Sequence, residues 1–265
     1  MSSSSNGYVI EEELCMAFHK KKVKDLSVHL RFVLQELYGP LEADEVIECY
    51  QTEEFIKPDI QIIYKGIIKN ISLKTGATDI LHDEYIDTFV KFLGSLGVSE
   101  KTQKTFFLYQ YGDGTLDGTG EVRLTGQEVE RKYHNLLEEA KMEINENKDL
   151  IVQVVERVIF DGVDPDAWHA DAVYHGDVYS GTIVTRRQII RHIRKNSWTT
   201  YRAFNIGPLL LYPHARYANK PILDPKKRNH IHIKWPSLLR DMELMSKRYY
   251  SIYPKDKWGD YRKQD

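Results

Sequence analysis

The sequence predicts an α/β (α+β) chain: one mixed β-sheet flanked by helices, followed by a mixed α/β C-terminal part. Three observations point there. Two helix-period patterns open the chain, strand-like apolar runs joined at a tight turn follow, and residues 166–265 alternate short apolar runs with a basic helix. No internal repeat is present.

Taken in order, residues 1–7 read as a disordered tail, and Tyr8 to Phe18 as a helix with Ile10, Leu14, Ala17 and Phe18 on one face. A second helix carries Leu26, Leu30, Val33, Leu34 and Leu37 and stops at Tyr38-Gly39-Pro40. EVIECYQ is a first strand, and KPDIQIIYKGIIKNISLKTG supplies two more around Lys65-Gly66. From Asp79, a candidate N-cap, ILHDEYIDTFVKFLGSLG reads as a helix, and KTFFLYQYG as a strand. GDGTLDGTG is a turn rather than a calcium loop, because the twelfth position from Asp113 is Leu124 where an EF-hand needs glutamate. Helices follow near 125–141 and 147–157. DAVYHGDVYSGTIV is a hairpin, TRRQIIRHIRKN a basic helix, IGPLLLYPHARY and HIHIKW strands, and PSLLRDMELMSKRYY a closing helix. No Pro/Gly/Ser-rich linker divides the chain, so a core over 8–165 and a C-terminal part over 166–265 are expected to pack directly.

At 265 residues, 42% of them hydrophobic, the chain can bury one large core or two small ones. A net charge of −2 gives no global pull toward polyanions, so such a partner must meet a local basic patch. No apolar run approaches the ~20 residues of a membrane span, and MSSSSNG lacks the features of a signal peptide. No membrane partner and a cytoplasmic location are the expectation. Cys15 and Cys49 lie in apolar surroundings and suggest neither a disulfide framework nor a zinc site.

The hairpin is the informative stretch. With Lys65-Gly66 as a two-residue turn, Tyr64 pairs with Ile67 and opposed residues have numbers summing to 131. Asp59 then lies across from Ser72. Side chains alternate, so Asp59, Ser72 and Lys74 share one face while Ile60, Ile62, Ile71 and Leu73 enter the core. Asp59 and Lys74 become diagonal neighbours with Cα atoms roughly 7–8 Å apart. A cross-strand ion pair and a functional site both fit this geometry.

Pro58-Asp59, a strand, then Ser72-Leu73-Lys74 resembles the PD-(D/E)xK signature of restriction-endonuclease-like nucleases, and the order of elements matches from about Tyr8 to Tyr111. The resemblance implies a restriction-endonuclease-like core and Mg²⁺-dependent hydrolysis of DNA, with Mn²⁺ able to substitute. Asp59 is then a metal ligand, the Leu73 carbonyl a second, and Lys74 the catalytic lysine that orients water or stabilises charge on the phosphate. Ser72 stands where the family carries its second acid, which implies either a replacement carboxylate or an inactive site. Glu13, flanking the apolar face of the first helix, is the candidate, against Glu11 on the other flank and the weaker Glu53 and Glu54. His82 and Glu84, expected to open the helix after Lys74, are either a phosphate or water contact or an ordinary acidic first turn.

Arg186, Arg187, Arg191, Arg194 and Lys195 concentrate positive charge on one helix without an acid among them. Such a helix suits phosphates of double-stranded DNA. Lys226, Lys227 and Arg228 add a basic loop, Arg216 is either a buried pairing residue or a phosphate contact, and His230 and His232 share a strand face without a third metal ligand nearby. The expected function is a DNA endonuclease of type II restriction kind, acting as a homodimer by analogy with palindromic sites. The alternative is a non-catalytic DNA-binding protein, or a partner-dependent phage or mobile-element protein, on a degenerate nuclease fold.

Overall fold

The computed structural model describes residues 3–52, 57–74, 80–120, 123–164, 166–198, 203–213 and 225–252. The elements run α1 Ser3–Phe18, β1 Lys21–Lys22, α2 Val28–Tyr38, β2 Val46–Gln51, β3 Ile60–Tyr64 and β4 Ile67–Lys74. They continue β5 Ile80–Tyr85, α3 Ile86–Ser95, α4 Glu100–Tyr111, α5 Gly126–Lys132, α6 His134–Glu146 and α7 Lys148–Glu156. The chain ends β6 Ala172–Gly176, β7 Gly181–Thr185, α8 Arg186–Lys195, β8 Asn205–Ile206, β9 Leu209–Pro213, β10 His230–Lys234 and α9 Leu238–Ile252. This is the expected mixed α/β class, with helices flanking a mixed sheet. Helix α1 takes in residues expected to be a disordered tail.

Two compact units interleave along the chain: Met1–Thr78 with Ile159–His192 and Ser237–Asp265, and Asp79–Val158 with Ile193–Pro236. This differs from a contiguous core over 8–165 followed by a C-terminal part. The physical reason lies in strand pairing. β6 returns to pair with β4 after the whole of 79–158 has intervened, and sequence periodicity carries no information about such a partner.

The first unit holds a six-stranded sheet ordered β1-β2-β3-β4-β6-β7, antiparallel except for the parallel β4–β6 pair. One face packs Ile47, Cys49, Ile60, Ile62, Ile71 and Leu73 against Leu14, Cys15 and Phe18 of α1 and Leu30, Val33 and Leu34 of α2. Ser27 caps α2, its hydroxyl accepting from the Leu30 N–H at 3.2 Å. The strand parallel to β4 is β6, from DAVYHG, rather than KTFFLYQYG.

The second unit holds a four-stranded antiparallel sheet ordered β5-β10-β9-β8. KTFFLYQYG belongs to α4, where aromatic strand propensity yields to local helix signals. Ser99 caps the helix, Gly112 closes it in the left-handed conformation, and Thr102, Thr105, Phe106 and Tyr109 bury at helical spacing. ILHDEY is the opposite case. The helical period of Ile86, Phe89, Val90 and Leu93 is real, but the residues upstream pair with β10 as strand β5. The expected cap Asp79 lies outside the described residues, and α3 begins after Tyr85. Among the described residues no helix is long and apolar enough to cross a membrane.

Candidate active site

Lys65 (φ 51°) and Gly66 (φ 72°) form the hairpin turn, both left-handed as a primed two-residue turn requires. The β3–β4 ladder then runs Tyr64↔Ile67 to Ile60↔Ile71, the register expected from the turn. One step further it changes. The Asp59 N–H reaches back to the Ile71 carbonyl at 2.9 Å, one residue out of the ladder's register.

At that break the carboxylate of Asp59 replaces the missing strand. Its Oδ2 accepts the Ser72 hydroxyl at 3.2 Å and also the Leu73 N–H. Ser72 is fully buried, so its hydroxyl has a fixed partner. A strand residue sends its N–H and C=O to the same edge, so the Leu73 carbonyl faces the Asp59 side too. Lys74, half-buried, closes β4; among the described residues its ammonium makes no salt bridge or hydrogen bond, so no Asp59–Lys74 ion pair forms.

Helix α1 brings Glu11, rather than Glu13, to this corner. Glu13 is exposed, whereas Glu11 is half-buried and lies within electrostatic reach of both Asp59 and Lys74. Burial and the Asp59 charge push the Glu11 carboxyl above its ordinary range, and Lys74 partly offsets them. Once Cys15 is buried with Leu14 and Phe18, the inward face centres on the Glu11–Cys15–Phe18 line. Glu53 and Glu54 lie outside the described residues. Sequence reasoning also missed His175, which pairs directly with Lys74 across the parallel β4–β6 ladder and so shares its face. No pattern in the sequence joins two residues so far apart.

His82 and Glu84 stand in the second unit, on β5 instead of a helix opening. Glu84 is buried, its Oε2 2.8 Å from Arg157 Nη2 and its Oε1 3.2 Å from His82 Nε2. Burial tends to raise its pKa, but the neighbouring His82 and the hydrogen-bonded Arg157 guanidinium outweigh it and hold the carboxyl below its ordinary value. This is an interior ion-pair cluster, completed by the Arg157 guanidinium 4.5 Å from the Phe92 ring centroid. Glu84, expected as a phosphate or water contact, is here engaged by His82 and Arg157.

On α8 the five basic residues divide. Arg186 forks onto Asp161 (Nη1–Oδ1 2.6 Å, Nη2–Oδ2 3.0 Å) and Arg194 reaches Asp149 at 2.9 Å. Arg191 is half-buried, while Arg187 and Lys195 are exposed. Arg216 and the Lys226 side chain lie outside the described residues. Arg228 binds the buried carboxylate of Asp113 at 2.6 Å, which with the Thr115 and Gly120 amides makes GDGTLDGTG a closed turn. His230 and His232 both contact Asp83, at 2.9 and 3.3 Å. Among the described residues no group of three or more His, Cys, Asp or Glu could hold a metal ion.

No protein-family profile matches the chain, and no curated protein matches it. Among solved structures, the chain is similar to the restriction endonuclease MspI in complex with its cognate DNA. The two are 11% identical, with a TM-score of 0.47, over 88% of this chain and 93% of that one.

Proposed function

We propose that the chain is a Mg²⁺-dependent endonuclease of the PD-(D/E)xK, restriction-endonuclease-like kind, hydrolysing phosphodiester bonds of double-stranded DNA. The observation that carries this reading is the end of the β3–β4 hairpin. There a carboxylate, Asp59, and an ammonium with no salt-bridge partner among the described residues, Lys74, stand beside a second carboxylate, Glu11. Two oxygen-donor acids suit Mg²⁺, which is held by one or two carboxylates with water and substrate phosphate. Burial, and after it the Asp59 charge, raises the Glu11 pKa, and a bound divalent cation would offset both. Asp59 and Glu11 would hold the ion, with the Leu73 carbonyl toward the same edge. Glu11 thus takes the part of the acid that Ser72 replaces. A metal held there would polarise the phosphate and lower the pKa of a bound water.

The chain's own groups do the rest. Lys74 donates to the phosphate oxygens as charge builds in the transition state, and half-burial strengthens that interaction. His175 presents its imidazole on the same face. Ser72 fixes the Asp59 rotamer. The exposed Arg187 and Lys195 bind backbone phosphates. Restriction of type II, cutting both strands as a homodimer, is the biological role that follows by analogy.

One observation favours a second reading. Asp59 Oδ2 already accepts two hydrogen bonds within the chain, as a purely structural aspartate does. A non-catalytic DNA-binding protein on a degenerate nuclease fold fits that. Supercoiled plasmids from several sources, incubated with Mg²⁺, Mn²⁺ or EDTA, separate the two. Metal-dependent fragments support the nuclease; DNA binding that persists in EDTA without cleavage under any metal supports the degenerate binder.

A further inference from the structure

The two cysteines, 34 residues apart in sequence, lie with their sulfurs 3.0 Å apart between α1 and β2. We propose that Cys15 and Cys49 are an oxidative modification site, at which a peroxide converts the two thiols to a disulfide that staples α1 to β2. The sulfurs already stand inside van der Waals contact, about 1 Å from the ~2.05 Å of an S–S bond. The surrounding backbone holds them there. The Lys20 N–H donates to the Ile47 carbonyl at 2.8 Å, the His19 N–H to the Cys15 carbonyl at 2.8 Å, and the Cys49 N–H to His19 Nδ1 at 3.3 Å.

The two thiols are chemically unequal. Cys15 is the less buried, at 9% exposure against 3% for Cys49. The contact with Cys49 lowers the Cys15 pKa against the opposing effects of burial and the Glu11 charge, while the same contact and then burial push the Cys49 thiol up. The more exposed Cys15 is the sulfur that peroxide reaches first, and Cys49 is the resolving thiol. The Cys15 thiolate displaces hydroxide from hydrogen peroxide and becomes a sulfenic acid. The Cys49 sulfur then attacks the Cys15 sulfur, the S–O bond breaks, and the departing hydroxide leaves as water with the Cys49 proton. In sum, two thiols and one peroxide give one disulfide and two waters. A dithiol reductant reverses it by exchange.

Glu11 lies one helical turn before Cys15, so the bond also fixes the turn that carries a proposed metal ligand. That consequence rests on the nuclease reading; the chemistry of the pair does not. The test is native full-length protein treated with hydrogen peroxide, read by intact mass, free-thiol count and melting temperature. The expected result is loss of two hydrogens from the monomer, disappearance of both thiols, and a melting temperature raised by several degrees and restored by dithiothreitol. Cys49→Ser should instead stop at a Cys15 sulfenic acid that dimedone traps, with no rise in melting temperature. Thiols that stay reduced until the protein unfolds, oxygen additions on wild type without loss of hydrogens, or disulfide-linked dimers would overturn the proposal. Plasmid cleavage by reduced and oxidised protein is read separately, so an inactive protein leaves the mass and melting results decisive.

Discussion

The Ser72 hydroxyl donates to Oδ2 of Asp59 at 3.2 Å across the end of the β3–β4 hairpin, and the next amide, Leu73, donates to the same oxygen. One carboxylate thus finishes the strand ladder, and on the proposed reading the same group would hold the cation. Substitutions can separate the two roles.

Asp59→Ala leaves a buried hydroxyl and an amide without their acceptor, which should destabilise the protein by about 1–3 kcal/mol. Asp59→Asn keeps an acceptor oxygen and should lose less. Both should abolish metal-dependent cleavage. Urea unfolding beside plasmid digestion of the two variants checks this, and equal stability losses would remove the structural role assigned to the carboxylate.

Glu11 and Glu13 should behave differently although both belong to α1. Glu11→Gln should weaken the metal dependence of cleavage, moving the half-maximal Mn²⁺ concentration upward by about tenfold or more, the scale of mutations that impair a metal site. Glu13→Gln should leave it unchanged. The two titrations side by side decide which acid stands in for the one that Ser72 replaces.

The basic residues of α8 should separate into two kinds. Arg187→Ala should weaken DNA binding on all sequences alike and reduce the slope of log affinity against log salt by about 1. Arg186→Ala removes the fork onto Asp161 and should lower stability instead. Fluorescence anisotropy across a salt series, with a melting curve for each variant, reads both.

Glu84 should make the protein acid-sensitive. Its folded pKa lies below the unfolded value, so its contribution is present at neutral pH and above. That contribution is lost as pH falls through the folded pKa, because the unfolded chain binds the proton more readily. Glu84→Gln should therefore melt below wild type at neutral pH, with the gap closing in acid. Glu84→Ala, which strands the Arg157 charge, should cost about 3–5 kcal/mol at neutral pH. Calorimetry from neutral to acidic pH measures both.

Much of the site is legible in the sequence because its elements are local. Lys65-Gly66 dictates the turn, and the turn dictates the register as far as Ile60↔Ile71; beyond that break Asp59 meets Ser72 through its carboxylate instead of the ladder. What is not legible is whatever depends on distant partners. His175 reaches Lys74 only through the β4–β6 pairing, and β5 is a strand only because β10 lies beside it. The Glu11 side of α1 turns inward because Cys15 meets Cys49 of β2, a contact that no helical pattern announces. The aromatic run of α4 illustrates the converse. Its caps, Ser99 and Gly112, were present in the sequence and outweigh the strand propensity of Phe106, Phe107 and Tyr109.

Digestion of plasmid DNA by wild-type protein and by Lys74→Ala, each with Mg²⁺ and with EDTA, tests the central claim most directly. Wild type should cut in Mg²⁺ and not in EDTA, and Lys74→Ala, still folded, should cut at least about a hundredfold more slowly, the loss expected when a transition-state donor is removed. Equal cleavage by the two proteins, or none by wild type on DNA from any source, would contradict it.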